Sequence, residues 1–156
     1  MLRRLVLVAI LAGTLPWNAG AQQPPAAPQT PQAFLQSVYD PYLKADFKGQ
    51  PYNETGRFFS PDLARAMERD VRGAKQRNEV PTLDGDPFVD AQEWKITDLV
   101  VRVSGTGDAA TGVVTFTNLG KPKRLAISLL RTPAGWRISD IAGPNGSLRT
   151  LFKLRQ

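Results

Sequence analysis

The stretch of sequence that decides the fold runs from residue 94 to residue 141 and reads WKITDLVVRVSGTGDAATGVVTFTNLGKPKRLAISLLRTPAGWRISDI. It contains runs rich in β-branched and aromatic residues, separated by short segments with the Gly, Pro, Asn and Ser composition of turns. Short turns between successive strands predict an antiparallel meander. The predicted strands are Trp94 to Val103, Ala110 to Asn118, Arg124 to Thr132 and Trp136 to Ile141.

Two helices are predicted before these strands. Each begins where a hydroxyl residue precedes a proline, at Thr30-Pro31 and at Ser60-Pro61, and continues with apolar residues three or four positions apart. We expect the first helix to run from about Pro31 to Phe47 and the second from Ser60 to Gln76.

The remaining segments complete the predicted domain. Residues 78 to 93 form a long loop, and Ser147 to Leu154 fit a short closing helix or a fifth strand. Helices followed by an antiparallel sheet define an α+β domain. We expect two N-terminal helices packed on a curved sheet of about four strands, the cystatin-like cone, with a short C-terminal element.

The N-terminal segment is typical of a secretory signal peptide. Two arginines precede an apolar run from Leu5 to Leu15, which is shorter than the roughly 20 residues that span a bilayer. Small residues then predict cleavage between Ala21 and Gln22. We therefore expect a Sec-exported protein of the periplasm or the cell exterior, with residues 1 to 21 removed.

The Pro, Gln and Ala-rich residues 22 to 32 predict a disordered leader, because they hold almost no large apolar side chain. Residues 33 to 156 have the length of one domain. No later apolar stretch is long enough to span a membrane, so the cleaved chain is not expected to do so.

The chain contains no cysteine and no histidine. The first absence excludes disulfides, thiol catalysis and lipid attachment at a cysteine. The second excludes Ser-His-Asp triads and removes the commonest zinc ligand. Gly105 and Gly107 fit a hairpin turn rather than a phosphate loop, and no cofactor is predicted.

The net charge is +6, and loss of Arg3 and Arg4 with the signal peptide would leave +4. A mildly basic exported protein meets anionic lipids, glycans and acidic proteins, so no nucleic-acid partner is expected. Arg65, Arg69 and Arg72 lie on one side of the second helix and could hold such an anion. We favour a solvated face there, because Glu68 lies four residues before Arg72.

Four motifs occur in order along the chain: FFSPDL at 58 to 63, DGDPFVDAQEW at 84 to 94, GWRISDI at 135 to 141 and SLRTL at 147 to 151. With these motifs, residues 33 to 152 resemble the bacterial domain-of-unknown-function family 3828. The resemblance implies a cone-shaped fold similar to nuclear transport factor 2 and a location in the cell envelope. It implies no activity and no catalytic residues, because none is firmly assigned to the family.

The loop before the strands carries Asp84, Asp86 and Asp90, with Glu93 nearby. Three carboxylates so close in sequence could bind a hard cation such as calcium, which takes oxygen ligands. Their spacing does not match the helix-loop-helix calcium pattern. We favour the alternative, in which these aspartates hydrogen-bond backbone amides in turns and hold Pro87-Phe88 against the sheet.

Strand alternation places Asp98 on one face with Trp94 and Ile96, and Asp140 on one face with Trp136 and Ile138. If both faces line the cone, two carboxylates of raised pKa meet a tyrosine from the first helix, Tyr39 or Tyr42. These four are the candidate catalytic residues, by analogy with ketosteroid isomerase, which works with acids and tyrosine. We favour structural roles, through a β-bulge that reverses the alternation or through arginine partners such as Arg102 and Arg149.

Four aromatic residues could form a ligand cage: Trp94, Trp136, Phe88 and Phe116. We interpret them as core, because aromatic residues at strand spacing in a small domain are more often core. The leading functional hypothesis is a non-enzymatic binding or accessory protein of the cell envelope that uses a pocket or a sheet face to hold a small ligand, an envelope component or a protein. One alternative is a histidine-free carboxylate isomerase or hydrolase in the cone pocket. The other is a toxin-neutralising or secretion-accessory protein, and a homodimer through the open sheet is compatible with each.

Overall fold

The computed structural model of the protein describes residues 29 to 51 and 54 to 155. The predicted signal peptide and cleavage site, and most of the predicted leader, lie outside these residues. The described chain is an α+β domain with one five-stranded antiparallel sheet and a few helices. Its helices are α1 (Pro31–Tyr39), α2 (Thr55–Phe58), α3 (Pro61–Arg77) and α4 (Leu148–Leu151), and its strands are β1 (Ile96–Ser104), β2 (Ala109–Asn118), β3 (Lys121–Thr132), β4 (Gly135–Gly143) and β5 (Gly146–Ser147).

The strands follow one another across the sheet in sequence order, which confirms the predicted meander. Strand β3 begins three residues before the predicted start at Arg124, because the turn that precedes it is shorter than expected. Leu119 and Gly120 both have positive φ, 48° and 78°, and Asn118 pairs directly with Lys121. Positive φ at both central residues is the geometry of a two-residue hairpin turn.

The first helix is shorter than its prediction. Helix α1 ends at Tyr39, a 3-10 turn covers Asp40–Leu43, and Lys44 is extended, so the helix does not reach Phe47. Pro41 explains the difference, because proline has no amide hydrogen to donate to the preceding turn. The predicted start is confirmed: the Thr30 hydroxyl accepts a 3.1 Å hydrogen bond from the Ala33 amide.

The predicted second helix is α3, with bounds shifted by one residue at each end. Its Ser60 hydroxyl donates to the Asp62 carboxylate at 2.6 Å instead of capping a backbone amide. Helix α2 lies partly in the predicted loop of residues 49 to 56. The closing segment was predicted as a short helix or a fifth strand, and it contains both, since the short strand β5 leads directly into α4.

The core lies between the helices and one face of the sheet. Leu35 of α1 and Leu63 of α3 are fully buried against inward residues of the strands such as Val114, Leu125 and Ile138. Leu35 packs directly onto the backbone of β2 at Gly112, where a Cβ would collide with its side chain. The absence of a side chain at Gly112 therefore determines how closely α1 approaches the sheet.

Parts of both edges of the sheet are covered: β1 forms one edge, and at the other edge the two-residue strand β5 leaves most of β4 without a neighbouring strand. On β1, the Gln32 side chain accepts from the Val103 amide at 2.9 Å and donates to the Val101 carbonyl at 3.0 Å, like a neighbouring strand. On β4, Phe59 forms a bridge with Ile138. Covered edges protect a sheet from pairing with other chains. Gln32, the last residue of the predicted leader, is thus part of the described fold.

None of the helices in the described ranges is long and apolar enough to cross a membrane.

Candidate functional site

A buried acid and a tyrosine meet at the end of the domain where the loop before β1 packs on the first helical segment. The Tyr42 hydroxyl donates a 2.6 Å hydrogen bond to the Asp86 carboxylate. The other oxygen of that carboxylate accepts from the Phe88 amide at 2.9 Å. Asp86 is only 4% exposed. This is the one charged residue among the described residues that lies at the centre of the aromatic core.

Aromatic rings surround this pair. Phe88 stacks on Phe59 at 5.3 Å between ring centroids and meets Tyr39 edge-on at 6.2 Å. Phe47 packs edge-on against Tyr42 at 4.9 Å. The cavity beside Asp86 and Phe88 measures about 10 Å³, which is roughly the space of a single water molecule. This cavity has no room for a substrate, but Asp86 and Tyr42 also line larger open grooves, of about 420 Å³ and about 620 Å³.

Burial controls the ionisation of these groups. It raises the pKa of the Asp86 carboxyl above its usual range, although the hydrogen bonds from Tyr42 and the Phe88 amide oppose this rise. Burial, reinforced by the charge of Asp86, raises the pKa of Tyr42 and also that of Tyr39. The Tyr39 hydroxyl is buried and finds no hydrogen-bond partner among the described residues. Both tyrosines therefore stay protonated at physiological pH.

The structure places Asp98 away from this cluster. Thr97 pairs with Thr117 and Val100 with Thr115, so Asp98 and Leu99 share one opposing residue in a β-bulge. Asp98 has φ of 55° and is exposed, while Ile96 is buried. The expectation that these two share a face was wrong, because the bulge reverses the alternation. The Asp98 carboxylate accepts from its neighbour Thr97 at 2.9 Å.

Asp140 lies at a second bulge. Ile138 pairs with Leu129 and Asp140 with Ser128, so the register shifts between them, yet Asp140 is buried, as Trp136 and Ile138 are. The Asp140 carboxylate accepts from the Arg149 amide at 3.0 Å, at the start of α4. Neither Asp98 nor Asp140 contacts Tyr39 or Tyr42 through a hydrogen bond. The structure brings together Tyr42 and Asp86 instead.

The three loop aspartates have separate partners. Asp84 accepts from Gln92 at 2.8 Å, Asp86 from Tyr42, and Asp90 from Lys123 and Asn145, both at 3.3 Å. Within residues 29 to 51 and 54 to 155, no group of three acidic side chains is close enough to hold a metal ion. The loop packs against the core, since its residues Phe88 and Val89 are buried in the core cluster.

The arginines follow two patterns. Arg65 and Arg69 of α3 are exposed, and Arg72 lies 4.0 Å from Glu68, the predicted pair. Arg149 is more buried: its guanidinium donates to Asp62 at 2.9 Å and to the Ser139 carbonyl at 3.3 Å. Arg149 thus joins α4 to α3 and β4, which is a structural role, although its predicted partner Asp140 is bound through the backbone.

Along β1, β2 and β3, exposed or half-buried residues alternate with the inward ones, and no helix within the described residues covers them. We call this surface the outer face. Most of its side chains are small or β-branched, and its two large members are arginines. Its residues are Val100, Arg102, Thr111, Val113, Thr115, Arg124, Ala126 and Ser128.

No protein-family model matches the chain, and no curated protein matches it significantly. Membership of the domain-of-unknown-function family 3828, and with it the cone similar to nuclear transport factor 2, stays a prediction.

Two solved structures are similar to the chain. One belongs to the type VI native effector-immunity complex Tae3-Tai3 from Ralstonia pickettii, at 21% identity and a TM-score of 0.49, covering 74% of this chain and 96% of that one. The other is the phospholipid-binding protein from Ralstonia solanacearum in complex with a phospholipid, at 14% identity and a TM-score of 0.45. The match covers 81% of this chain and 84% of that one. At these identities the similarity concerns the fold alone.

Proposed function

We propose that the protein is a non-enzymatic binding protein of the bacterial cell envelope that uses the outer face to bind an acidic surface of another protein. One observation carries the proposal. Arg102 and Arg124 stand on an uncovered sheet face, and neither has an ion pair within the described residues. Unpaired exposed arginines are the anchors that protein interfaces favour.

The register explains why the two arginines act together. Arg102 on β1 is opposite Val113 of β2, and Arg124 on β3 is opposite Thr115, two residues further along the same strand. The two guanidiniums therefore flank a central row of small side chains. A partner carboxylate can reach each guanidinium while its apolar atoms pack on this row, where Val100 is 41% exposed.

The sign of the charge selects the partner. None of the eight side chains of the outer face is acidic, and two aspartates border them: exposed Asp98 before Val100, and Asp140, which pairs with Ser128 but is only 8% exposed. A symmetric dimer through this face would bring like charges from both copies into one interface, which is unfavourable. An acidic protein is the complementary partner. The toxin-neutralising and secretion-accessory alternatives both fall within this class, and the identity of the partner separates them.

The experiment compares two double variants as bait in cross-linking of envelope extracts, followed by mass spectrometry. Arg102→Glu/Arg124→Glu reverses the charge of the outer face, and Arg65→Glu/Arg69→Glu makes the same change on exposed positions of α3. We expect one acidic protein to be recovered with the wild type and the α3 variant, but not with the outer-face variant. Equal recovery with both variants, or no recovery with the wild type, contradicts the proposal.

The carboxylate enzyme is a second candidate, and the Tyr42–Asp86 pair is the observation in its favour. A buried acid of raised pKa beside a tyrosine has the elements of general acid catalysis. The hydrogen bonds are against it, because the Tyr42 hydroxyl and the Asp86 carboxylate are already bound to each other and to the Phe88 amide. Turnover of any substrate that is lost in Asp86→Asn, with folding intact, would replace the binding proposal by this one.

A further inference from the structure

An open groove lies beside the Tyr42 ring, between the segment that follows α1 and the start of β1. It measures about 620 Å³, within the range of roughly 300 to 1,000 Å³ that small-ligand sites occupy. Its aromatic floor consists of Tyr42, Phe47 and Trp94, and its rim carries Lys44, Lys48 and Lys95. We call it the lysine groove. It lies on the helix side of the domain and contains no residue of the outer face.

Trp94 is the residue that the sequence interpretation placed differently. It was expected in the core, as Trp136 is, but it is only partly buried, against the Tyr42 ring at 5.6 Å. One side of the indole packs on the core while the other lines the groove. A large aromatic side chain left partly open beside a cavity is a ready contact surface for a ligand.

One wall of the groove is held by a close backbone approach. Gly49 has φ of 91°, and a Cβ there would lie 3.1 Å from both the Trp94 ring and an Asp86 oxygen. Gln50, the next residue, donates a 2.6 Å hydrogen bond to the Val38 carbonyl. The segment that carries Lys44 and Lys48 is therefore fixed where it passes Trp94.

The other wall is held by a buried amide. Asn118, which is 5% exposed, accepts from the Lys95 amide at 2.9 Å and donates to the Glu93 carbonyl at 3.2 Å. This one side chain fixes the backbone on both sides of Trp94. The groove therefore keeps its shape without a ligand, which lowers the entropic cost of binding.

The charge of the groove is positive. Lys44, Lys48 and Lys95 are exposed, and none forms an ion pair with another described residue. The acidic residue of the lining is Glu93, so the cations exceed it. An anionic group at the rim would be attracted to the ammonium groups while an apolar group covered the aromatic floor.

We propose that the lysine groove binds a single-chain amphiphile with an anionic head group. The head accepts hydrogen bonds from the three ammonium groups, and the alkyl chain covers the exposed side of Trp94 and Phe47. Charge alone would attract inorganic anions, and the aromatic floor alone would attract neutral detergents. Only the combination of both features selects an anionic amphiphile. This inference is independent of the outer face, so either proposal can fail while the other holds.

The test uses three ligands on the folded protein: inorganic phosphate, and dodecyl phosphate and dodecyl maltoside, each of these two amphiphiles below its micellar concentration. Isothermal titration calorimetry gives the affinity, and the NMR shift of the Trp94 indole signal locates the site. We expect dodecyl phosphate to bind and shift that signal, and to bind more weakly as salt is added. Equal binding of dodecyl maltoside or of inorganic phosphate overturns the proposal, as does binding that leaves the Trp94 signal unmoved.

Matched variants test the rim. The triple change Lys44→Gln/Lys48→Gln/Lys95→Gln should weaken dodecyl phosphate binding by about tenfold or more, the sum of three exposed ion pairs. The control Arg65→Gln/Arg69→Gln/Lys75→Gln removes the same charge from exposed positions of α3 and should leave the affinity unchanged. All six positions are exposed, so both proteins should fold, and circular dichroism checks this. Equal losses in the two variants would mean that net charge alone attracts the ligand, and no loss in the first would mean that the rim does not bind it; either result overturns the proposal.

Discussion

The Tyr42 hydroxyl donates a 2.6 Å hydrogen bond to the buried Asp86 carboxylate, and this single contact joins the first helical segment to the loop that closes the core. Asp86 lies 44 residues after Tyr42 in the chain. The sequence contained both residues among its candidates, but for different chemistries, one for catalysis and the other for a metal. Their joint role is to hold a polar connection inside an aromatic cluster.

Comparing the stability of two tyrosine variants tests whether the hydrogen bond between Tyr42 and Asp86 stabilises the fold. Tyr42→Phe leaves the Asp86 carboxylate with one hydrogen bond fewer in a buried site, and should lower the free energy of unfolding by about 1 to 3 kcal/mol. Tyr39→Phe removes a buried hydroxyl that has no partner among the described residues, so its stability should be unchanged or raised by up to about 1 kcal/mol. Urea unfolding of both variants measures the difference. Equal destabilisation would show that ring packing, not the hydrogen bond, is what both changes disturb.

The raised pKa of Asp86 predicts a pH dependence of stability. Because the folded pKa exceeds the unfolded value, the unfolded state releases its proton first as the pH rises. The contribution of Asp86 to stability is therefore fully present below the unfolded pKa of about 3.9 and declines as the pH rises through the folded pKa. Relative to Asp86→Asn, the wild type should lose stability as the pH rises from the unfolded pKa of about 3.9 through the raised folded pKa. A difference between the two proteins that stays constant, or that grows in favour of the wild type, would contradict the raised pKa.

The contact of Leu35 with the backbone at Gly112 predicts a large effect for a small change. Gly112→Ala adds a Cβ that collides with Leu35 in a fully packed region, and should destabilise the domain by about 1 to 3 kcal/mol. Gly56→Ala is the matched control, because a Cβ there meets nothing within 4 Å and Gly56 lies in helix α2. The control should be neutral or slightly stabilising. Thermal unfolding of the two variants checks this, and similar melting temperatures would mean that α1 can move away from the sheet.

The cover that Gln32 provides on β1 predicts a change in association. Gln32→Leu keeps the approximate size of the side chain but removes both hydrogen bonds with Val101 and Val103. We expect a loss of about 1 to 2 kcal/mol in stability and a concentration-dependent increase in self-association through the free edge. Gln76→Leu, an exposed change on α3, controls for added surface hydrophobicity. Analytical ultracentrifugation measures the self-association of both variants. If Gln32→Leu associates no more than Gln76→Leu, β1 is protected in another way.

Much of the fold could be predicted because its signals are local. The turns between β2, β3 and β4 and the proline at the start of α3 act within a few residues, so composition identifies them. The same locality explains a failure: Pro41 also acts locally and ends α1, but the apolar spacing continues to Phe47 and suggested a longer helix. Where apolar periodicity continues past a proline, the proline determines where the helix ends, because its nitrogen has no hydrogen to donate to the preceding turn.

The candidate site was less predictable, because it depends on contacts between distant segments. A β-bulge was one of the favoured alternatives for Asp98 and Asp140, but strand alternation does not show where an extra residue lies, and the structure places the register shifts at Asp98 and at Ser139. Asp86 was recognised as an acid in a turn, and its hydrogen bond to the Phe88 amide agrees with that interpretation. Tyr42 was a candidate as the partner of a strand carboxylate, but no signal in the sequence paired it with Asp86.

The sequence by itself determined the α+β class, the meander of strands and the absence of thiol and imidazole chemistry, since these follow from residue types and short spacings. Only the tertiary structure decided that the Tyr42 hydroxyl binds Asp86 inside the aromatic core. It also decided that Trp94 is partly exposed beside three lysines, and that Arg102 and Arg124 share the outer face of the sheet. The physical reason is the distance along the chain over which each interaction acts. Turns, caps and periodicity act over a few residues, whereas burial, register and charge clusters arise when segments far apart in the chain pack together.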